Sequence, residues 1–372
     1  MPHAQKIHLD VIGLSRCAEH NSATLNPRNK ACAMKTLTSL SLALSLLLTA
    51  PLALAETTLT VYTALEADQL KAYQTKFEAE NPDIKIKWVR DSTGIITAKL
   101  LAEKANPQAD VVMGLAASSL LIFEKDGMLQ PYAPKGVELL SKAYVDDRTP
   151  PAWVGMDVWG AAICFNTVEA AKQGIKKPES WKDLTKPEYK NKIVMPNPAS
   201  SGTGYFDVSA WLQMMGEKEG WAYMDKLHDN IAQYTHSGSK PCKQAAAGEF
   251  PIGISFEYRA AKIKEGGAPI DLVFPKEGLG WDLEATAIMK GTKNLDAAKK
   301  LADWSASKSA NELYEKNFAI VAMPGIAKPN AHIPADYEQR LIKQDLRVSA
   351  AMRDKTLAEW TKRYDSKSEP KK

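Results

Sequence analysis

The sequence predicts an α/β protein of two domains. Strand, turn and helix patterns alternate repeatedly along the chain, and its 372 residues suit two domains of roughly 100–200 residues each. Composition agrees: 45% hydrophobic and 25% charged residues are ordinary for a folded globular chain and exclude a disordered or low-complexity class. No period of about 20–50 residues repeats, which excludes a solenoid.

Residues 1–55 read as a leader outside the fold. Met34-Lys35 opens a short positive region, Leu37–Ala50 is an apolar run, and Ala53-Leu54-Ala55 is a small-x-small cleavage site. This is the pattern of a cleaved secretory signal with the mature chain starting at Glu56, and the stretch before Met34 reads as a mis-assigned start. The apolar run is shorter than the about 20 residues a membrane span needs, and no Cys follows the cleavage site to carry a lipid. The leader holds five basic and two acidic side chains, leaving 43 basic against 42 acidic in the rest. No basic excess remains, so nucleic acid is not an expected partner.

The mature chain opens with a strand, Thr58–Tyr62, followed by a helix with Leu70, Tyr73 and Phe77 on one face. Ile84, Ile86 and Trp88 alternate with lysines as a second strand. The turn Asp91–Gly94 leads to a helix over Ile95–Lys104; Asp110–Met113 is a third strand, Ala116–Ser119 a turn and Leu120–Lys125 a helix stopped by Gly127. This order predicts a mainly parallel sheet, with ligands beyond the carboxyl ends of its strands. Trp153–Asp157 reads as irregular. A second set then begins: strands at Trp159–Phe165, Lys192–Met195 and Ile252–Phe256, a capped turn at Ser180–Leu184, and helices at Tyr205–Met215 and Lys243–Ala247. Glu284–Met289 reads as a strand returning to the first set, helices follow near Leu295–Ser305 and Ala310–Tyr314, and Ser366–Lys372 is expected to fray.

Ser200-Ser201-Gly202-Thr203-Gly204 is the sharpest local feature. A strand runs through it into a helix, so backbone N–H groups, hydroxyls and the helix's partial positive charge favour a phosphate, phosphonate or carboxylate; an ordinary N-cap has the same composition. The Gly-Lys-[Ser/Thr] ending of a nucleotide loop is absent. Ser92, Thr93 and Ser118 sit at equivalent turns, where neutral donors complete an oxyanion cage without a buried ion pair. Glu257 and Tyr258 follow another strand: the carboxylate suits an ammonium and the phenol an oxyanion or a cation, although a surface Glu beside a core Tyr fits the residues alone. Asp157, Asp282 and Glu284 are further candidates for a cation partner. His228, His236 and His332 form no ligand-spaced cluster and no Cys-x-x-Cys occurs, so neither a metal nor a cofactor is expected. Cys164 and Cys242 are available for one disulfide in an exported chain, or stay as two buried thiols. No Gly-x-Ser-x-Gly, His-Glu-x-x-His or Cys/His pairing marks an enzyme, and a small exported hydrolase is the alternative of another class.

Leu59–Thr63, Ala109–Val112, Ala161–Thr167 and Ser180–Leu184, with the leader, resemble periplasmic type II solute-binding proteins of ABC importers, in the branch that contains ferric-ion binders. The resemblance implies two α/β lobes with two mixed sheets flanked by helices and joined by two crossover strands. Residues 56–159 with 281–325 would form lobe 1, and 160–280 with 326–372 lobe 2, closing on a ligand by hinge motion. It also implies a monomer that is no enzyme, serving a permease and ATPase complex at the inner membrane. Ferric binders of this branch carry two adjacent tyrosines where this chain has Glu257-Tyr258, which makes iron the alternative ligand. Thr63-Ala64-Leu65-Glu66, Asp91–Gly94, Ala199–Gly204 and Ser255–Arg259 resemble the 2-aminoethylphosphonate-binding proteins. That resemblance implies phosphonate contacts from Ser92, Thr93, Ser118, Ser200, Ser201, Gly202 and Thr203, flanked by Thr63 and Ala64, with Glu257 and Tyr258 at the amine end.

Overall fold

Alternation of buried Leu59 and Val61 with Thr58 and Thr60 builds β1 (Thr57–Thr63), and Ile84 and Ile86 do the same for β2 (Ile84–Arg90). Between them α1 (Ala67–Glu80) buries Gln69, Tyr73 and Phe77 at i, i+4, i+8. Its start is fixed by a capping box, in which the Glu66 N–H donates to Gln69 Oε1 at 2.8 Å. The computed structural model describes residues 56–370; the leader expectation lies outside the described residues.

From there α2 (Thr93–Ala102), β3 (Val111–Ala116), α3 (Ala117–Lys125) and β4 (Leu129–Gln130) complete the first half. The expected turn at Ala116–Ser119 is instead the last strand residue and the first turn of α3. The next strand, β5 (Val154–Asn166), is 13 residues long and buried throughout. The irregular stretch expected at Trp153–Asp157 is therefore strand from Val154 onward. It lacks alternation because both of its faces are covered.

The remaining elements are α4 (Thr167–Lys172), β6 (Ile193–Pro196), α5 (Gly202–Met215), α6 (Glu217–Asn230), β7 (Ile231–Thr235), α7 (Lys240–Ala246), β8 (Ile252–Phe256), α8 (Glu257–Glu265) and β9 (Ile270–Val273), then β10 (Trp281–Met289), α9 (Leu295–Ala306), α10 (Lys308–Tyr314), β11 (Ile320–Val321), α11 (Tyr337–Arg340) and α12 (Leu346–Tyr364). The strand order is β2-β1-β3-β10-β5-β8-β6-β7. β1 pairs parallel with β2 and β3, and β6 parallel with β7 and β8. β10 runs antiparallel between β3 and β5. The first half of β5 thus belongs to one group of strands, and its second half pairs with β8 and β9 of the other. This is a mixed α/β fold whose two strand groups meet at β5 and β10.

The C-terminal helix touches both halves. Arg347 reaches Asp147 at 2.7 Å, while Ser349 Oγ lies 2.8 Å from Ser209 Oγ on α5. The tail does not fray as far as it is described: the Glu369 N–H donates to Tyr234 O at 2.9 Å. Cys164 on β5 and Cys242 on α7 form a disulfide with a Cα–Cα distance of 5.3 Å, in a small cluster with Ala162, Ala245, Ala260 and Ile270.

Candidate functional site

The carboxyl ends of β1, β2, β6, β7 and β8 converge on a cavity of about 40 Å³, the position that open α/β sheets reserve for ligands. That volume holds roughly three water-sized groups at about 10–15 Å³ each. Two helix N-termini face each other across it. α2 brings Ser92 and Thr93, and α5 brings Ser201, Gly202 and Thr203. Both helices leave their first N–H groups without intrahelical acceptors and add partial positive charge.

The approach of these termini depends on glycine. The Gly94 N–H donates to Ser200 O at 2.8 Å, and a Cβ at Gly94 would lie 2.1 Å from Ala199 O. A Cβ at Gly202 would lie 2.6 Å from Thr93 Oγ1, and one at Gly238 2.3 Å from Thr203 Oγ1. The hydroxyls held this way are buried: Ser92 and Thr93 are 7% exposed, Ser201 1% and Thr203 4%. Ser201 Oγ accepts from Gly204 N–H at 3.3 Å as the N-cap of α5.

Of the sequence-predicted residues, the cavity brings together Ala64, Ser92, Thr93, Ser201, Gly202, Thr203 and Tyr258. Four others lie outside its wall. Thr63 is fully buried and its Oγ1 accepts from Leu65 N–H at 3.1 Å. Ser118 belongs to the first turn of α3, where its N–H points to Asp282 Oδ1 at 3.4 Å. Ser200 turns its hydroxyl to His236 O at 2.8 Å. Glu257 is fully buried, with Oε2 accepting from Gly160 N–H at 2.9 Å. It therefore turns this oxygen to β5 and does not line the cavity.

Sequence reasoning missed Glu66, Arg90, Trp159, Ser237, Gly238 and Phe318 in the wall, and ranked Glu284 only as a further candidate. Ser237-Gly238-Ser239 carries the same strand-to-helix signal as the turns that were read, between β7 and α7. Arg90 is the last residue of β2; its Nε donates to Leu65 O at 2.9 Å, and its guanidinium lies 3.8 Å from Glu66.

A ring of ion pairs closes one side. Arg259 on α8 reaches Glu66 at 2.8 Å and Asp68 at 3.1 Å, and Lys262 reaches Asp68 at 2.8 Å. Burial opposes the ionisation of Asp68, but hydrogen bonds from Lys262 and Arg259 hold its carboxyl down to about 2. His236 Nε2 and Asp91 Oδ1, 3.1 Å apart, form another contact across the same line.

Beside the cavity lies a set of buried acids on β5, β10 and the start of α8. Glu284 on β10 stands opposite Asp157 on β5. Burial, with repulsion from Glu284, pushes Asp157 well up, and burial, with repulsion from Glu257, raises Glu284 to about 8 although its hydrogen bond with Asp157 works against that rise. Burial likewise raises Glu257 to about 8 and Asp282 to about 6. Donors and helix termini at one part of the wall, and carboxyls at another, suit a small solute that carries an anionic head.

Comparison with known proteins agrees with this geometry. Residues 106–345 match the family described as bacterial extracellular solute-binding protein. A Haemophilus influenzae protein whose only name is "Uncharacterized protein" is 37% identical over 64% of this chain and 70% of its own. The probable ABC transporter periplasmic-binding protein y4fP of Sinorhizobium fredii is 27% identical over 75% of this chain and 78% of its own. Among solved structures, the periplasmic binding protein AfuA of Actinobacillus pleuropneumoniae, with fructose-6-phosphate bound, is 30% identical. It superposes with a TM-score of 0.78 over 83% of this chain and 99% of that one. The chain belongs to the bacterial extracellular solute-binding protein family.

Proposed function

We propose that the protein captures a small phosphonate of the 2-aminoethylphosphonate kind for an ABC importer, as a periplasmic carrier released from its leader after Ala55. The observation that carries this reading is the pair of opposed helix N-termini. They gather Ser92, Thr93, Ser201 and Thr203 around a cavity of about 40 Å³, as an oxyanion with several acceptor atoms requires. Residues 56–159 with 281–325 act as one lobe and 160–280 with 326–372 as the other, the strand pairing of β5 and β10 supporting a hinge between them. The cavity supports capture without chemistry, since among the described residues no histidine lines it to activate a hydroxyl.

A phosphate ester is the second reading, favoured by the likeness to AfuA with its bound fructose-6-phosphate. The small cavity favours the shorter ligand. Ferric ion fits less well. The wall holds one phenol, Tyr258, whose oxygen already accepts from Lys262 Nζ at 3.0 Å.

Calorimetric titration of the purified protein with 2-aminoethylphosphonate, ethylphosphonate, phosphate, fructose-6-phosphate and ferric citrate tests this. Tight binding of a phosphonate, weakened about tenfold or more in Ser201→Ala and Thr203→Ala, is expected, because hydrogen bonds to a charged group contribute about 1.5–3 kcal/mol. Binding of ferric citrate or the sugar phosphate alone would overturn it.

A further inference from the structure

The cavity wall carries two carboxylates, and they differ in how they are neutralised. Glu66 meets Arg259 at 2.8 Å, with Arg90 at 3.8 Å and Lys243 at 3.9 Å. Glu284 has no cationic partner among the described residues, and its Oε2 is buried without a hydrogen-bond donor. Asp157 stands opposite it on β5, fully buried, with both oxygens equally lacking a donor. β10 shifts register against β5 between Glu284 and Ala285, a bulge of the kind that re-aims a side chain beside a site.

Two carboxyls that face each other with no donor between them need either a shared proton or a cation. The other charged groups acting on Glu284 from neighbouring elements are Glu257, Glu66 and Asp282, all acidic. Burial and these acidic neighbours keep protons on the pair in the empty site, so this part of the wall turns negative when a cation displaces them, while the helix termini at Thr93 and Gly202 make their own part positive. A wall polarised in this way matches a ligand that carries both signs of charge.

We propose that Glu284, backed by Asp157, accepts the protonated amine of the ligand and makes the site select aminoalkyl anions over plain alkyl ones. This rests on reading the cavity as a phosphonate site, and it gives the amine to the crossover strands instead of Glu257. The ammonium brings three N–H donors and one positive charge in place of the proton the pair otherwise holds. Burying it beside the pair satisfies both partners at once, whereas an alkyl chain leaves the carboxyls as they are.

The test is calorimetric titration of wild type, Glu284→Gln and Glu66→Gln with 2-aminoethylphosphonate and ethylphosphonate. Wild type is expected to prefer the amine-bearing ligand by about 10–100-fold, the range of one charged hydrogen-bonding contact. Glu284→Gln removes that preference while its affinity for ethylphosphonate stays within about threefold of wild type. Glu66→Gln, which loosens the ion pairs on Arg259, weakens both ligands alike. Should Glu284→Gln not fold, Asp157→Asn serves as the second variant and loses part of the same preference. Ethylphosphonate binding with no amine preference in wild type, or a preference kept in the folded variants, overturns the inference and leaves the phosphonate reading intact. Failure of wild type to bind either ligand overturns both.

Discussion

Replacing Gly94 by Ala tests whether the two helix termini must touch for ligand to be held. The added Cβ would sit 2.1 Å from Ala199 O, and ordinary contact begins at 3.4 Å, so α2 and the loop before α5 must part by about 1.3 Å. Parting breaks the 2.8 Å bond from Gly94 N–H to Ser200 O, which contributes about 1 kcal/mol. It also draws Ser92 and Thr93 away from an anion held by Ser201 and Thr203. Losing two charged hydrogen bonds at about 1.5–3 kcal/mol each brings the loss to roughly 3–6 kcal/mol. At 1.4 kcal/mol per factor of ten, Kd rises at least about 100-fold. Gly94 has no positive φ, and Ala near a helix start is favoured over Gly by up to about 1 kcal/mol. That gain does not offset the lost bond and the displaced backbone, so the ligand-free variant should melt below the wild-type temperature. Calorimetry and a thermal melt together read both effects. Kd within about threefold of wild type would refute the closed arrangement as the binding state.

Arg259→Ala removes the partner of Glu66 and Asp68 and should weaken every ligand about 10-fold or more, chiefly through faster release in a stopped-flow experiment; Arg259→Lys should recover part of it. The acids raised by burial make the native state bind more protons than the unfolded chain between about pH 4.5 and 8. Their contribution is thus most favourable at the low end, and ligand-free stability should fall as pH rises through that window, with a flatter slope in Glu257→Gln. Asp68 acts in the opposite sense: its lowered value contributes stability that is lost as pH drops through about 4 to 2. Binding of 2-aminoethylphosphonate should release more protons than binding of ethylphosphonate, measurable by calorimetry in buffers of different ionisation enthalpy. Reduction of Cys164–Cys242, which closes a separation of 78 residues, should lower unfolding free energy by about 2–4 kcal/mol in denaturant titrations.

The strands that open the fold were legible because one face of each is covered: Leu59 and Val61, or Ile84 and Ile86, alternate with polar neighbours. β5 hid its first half because it is buried on both faces and carries Gly155, Asp157 and Gly160 within a run that never alternates. α6 and β7 escaped notice for another reason. Gly220 interrupts the helical pattern, and Ile-Ala-Gln-Tyr-Thr is too mixed to signal a strand. For α12, few of its 19 residues are buried, among them Ser349, Arg353 and Thr356, so no apolar stripe marks it. At the site, the hydroxyl-rich turns could be found from strand-to-helix order, but not which of two adjacent side chains faces inward. Ser201 enters the cavity and Ser200 leaves it, and Tyr258 enters while Glu257 turns to Gly160. Neighbouring residues at such junctions point in different directions, and only the packed structure chooses between them.

The seating of the chain's last described residues has a practical consequence for anyone handling the protein. Glu369 takes the His236 N–H and the Lys240 ammonium, and Ser368 forms a bridge with Tyr234, so this end is stitched to the turn that supplies Ser237 and Gly238 to the cavity. A purification tag, dye or surface linker fused at the carboxyl end would tug directly on that turn and distort the affinity it was meant to help measure. Fluorescent labels belong on exposed positions such as Val168 or Leu139, away from this seam.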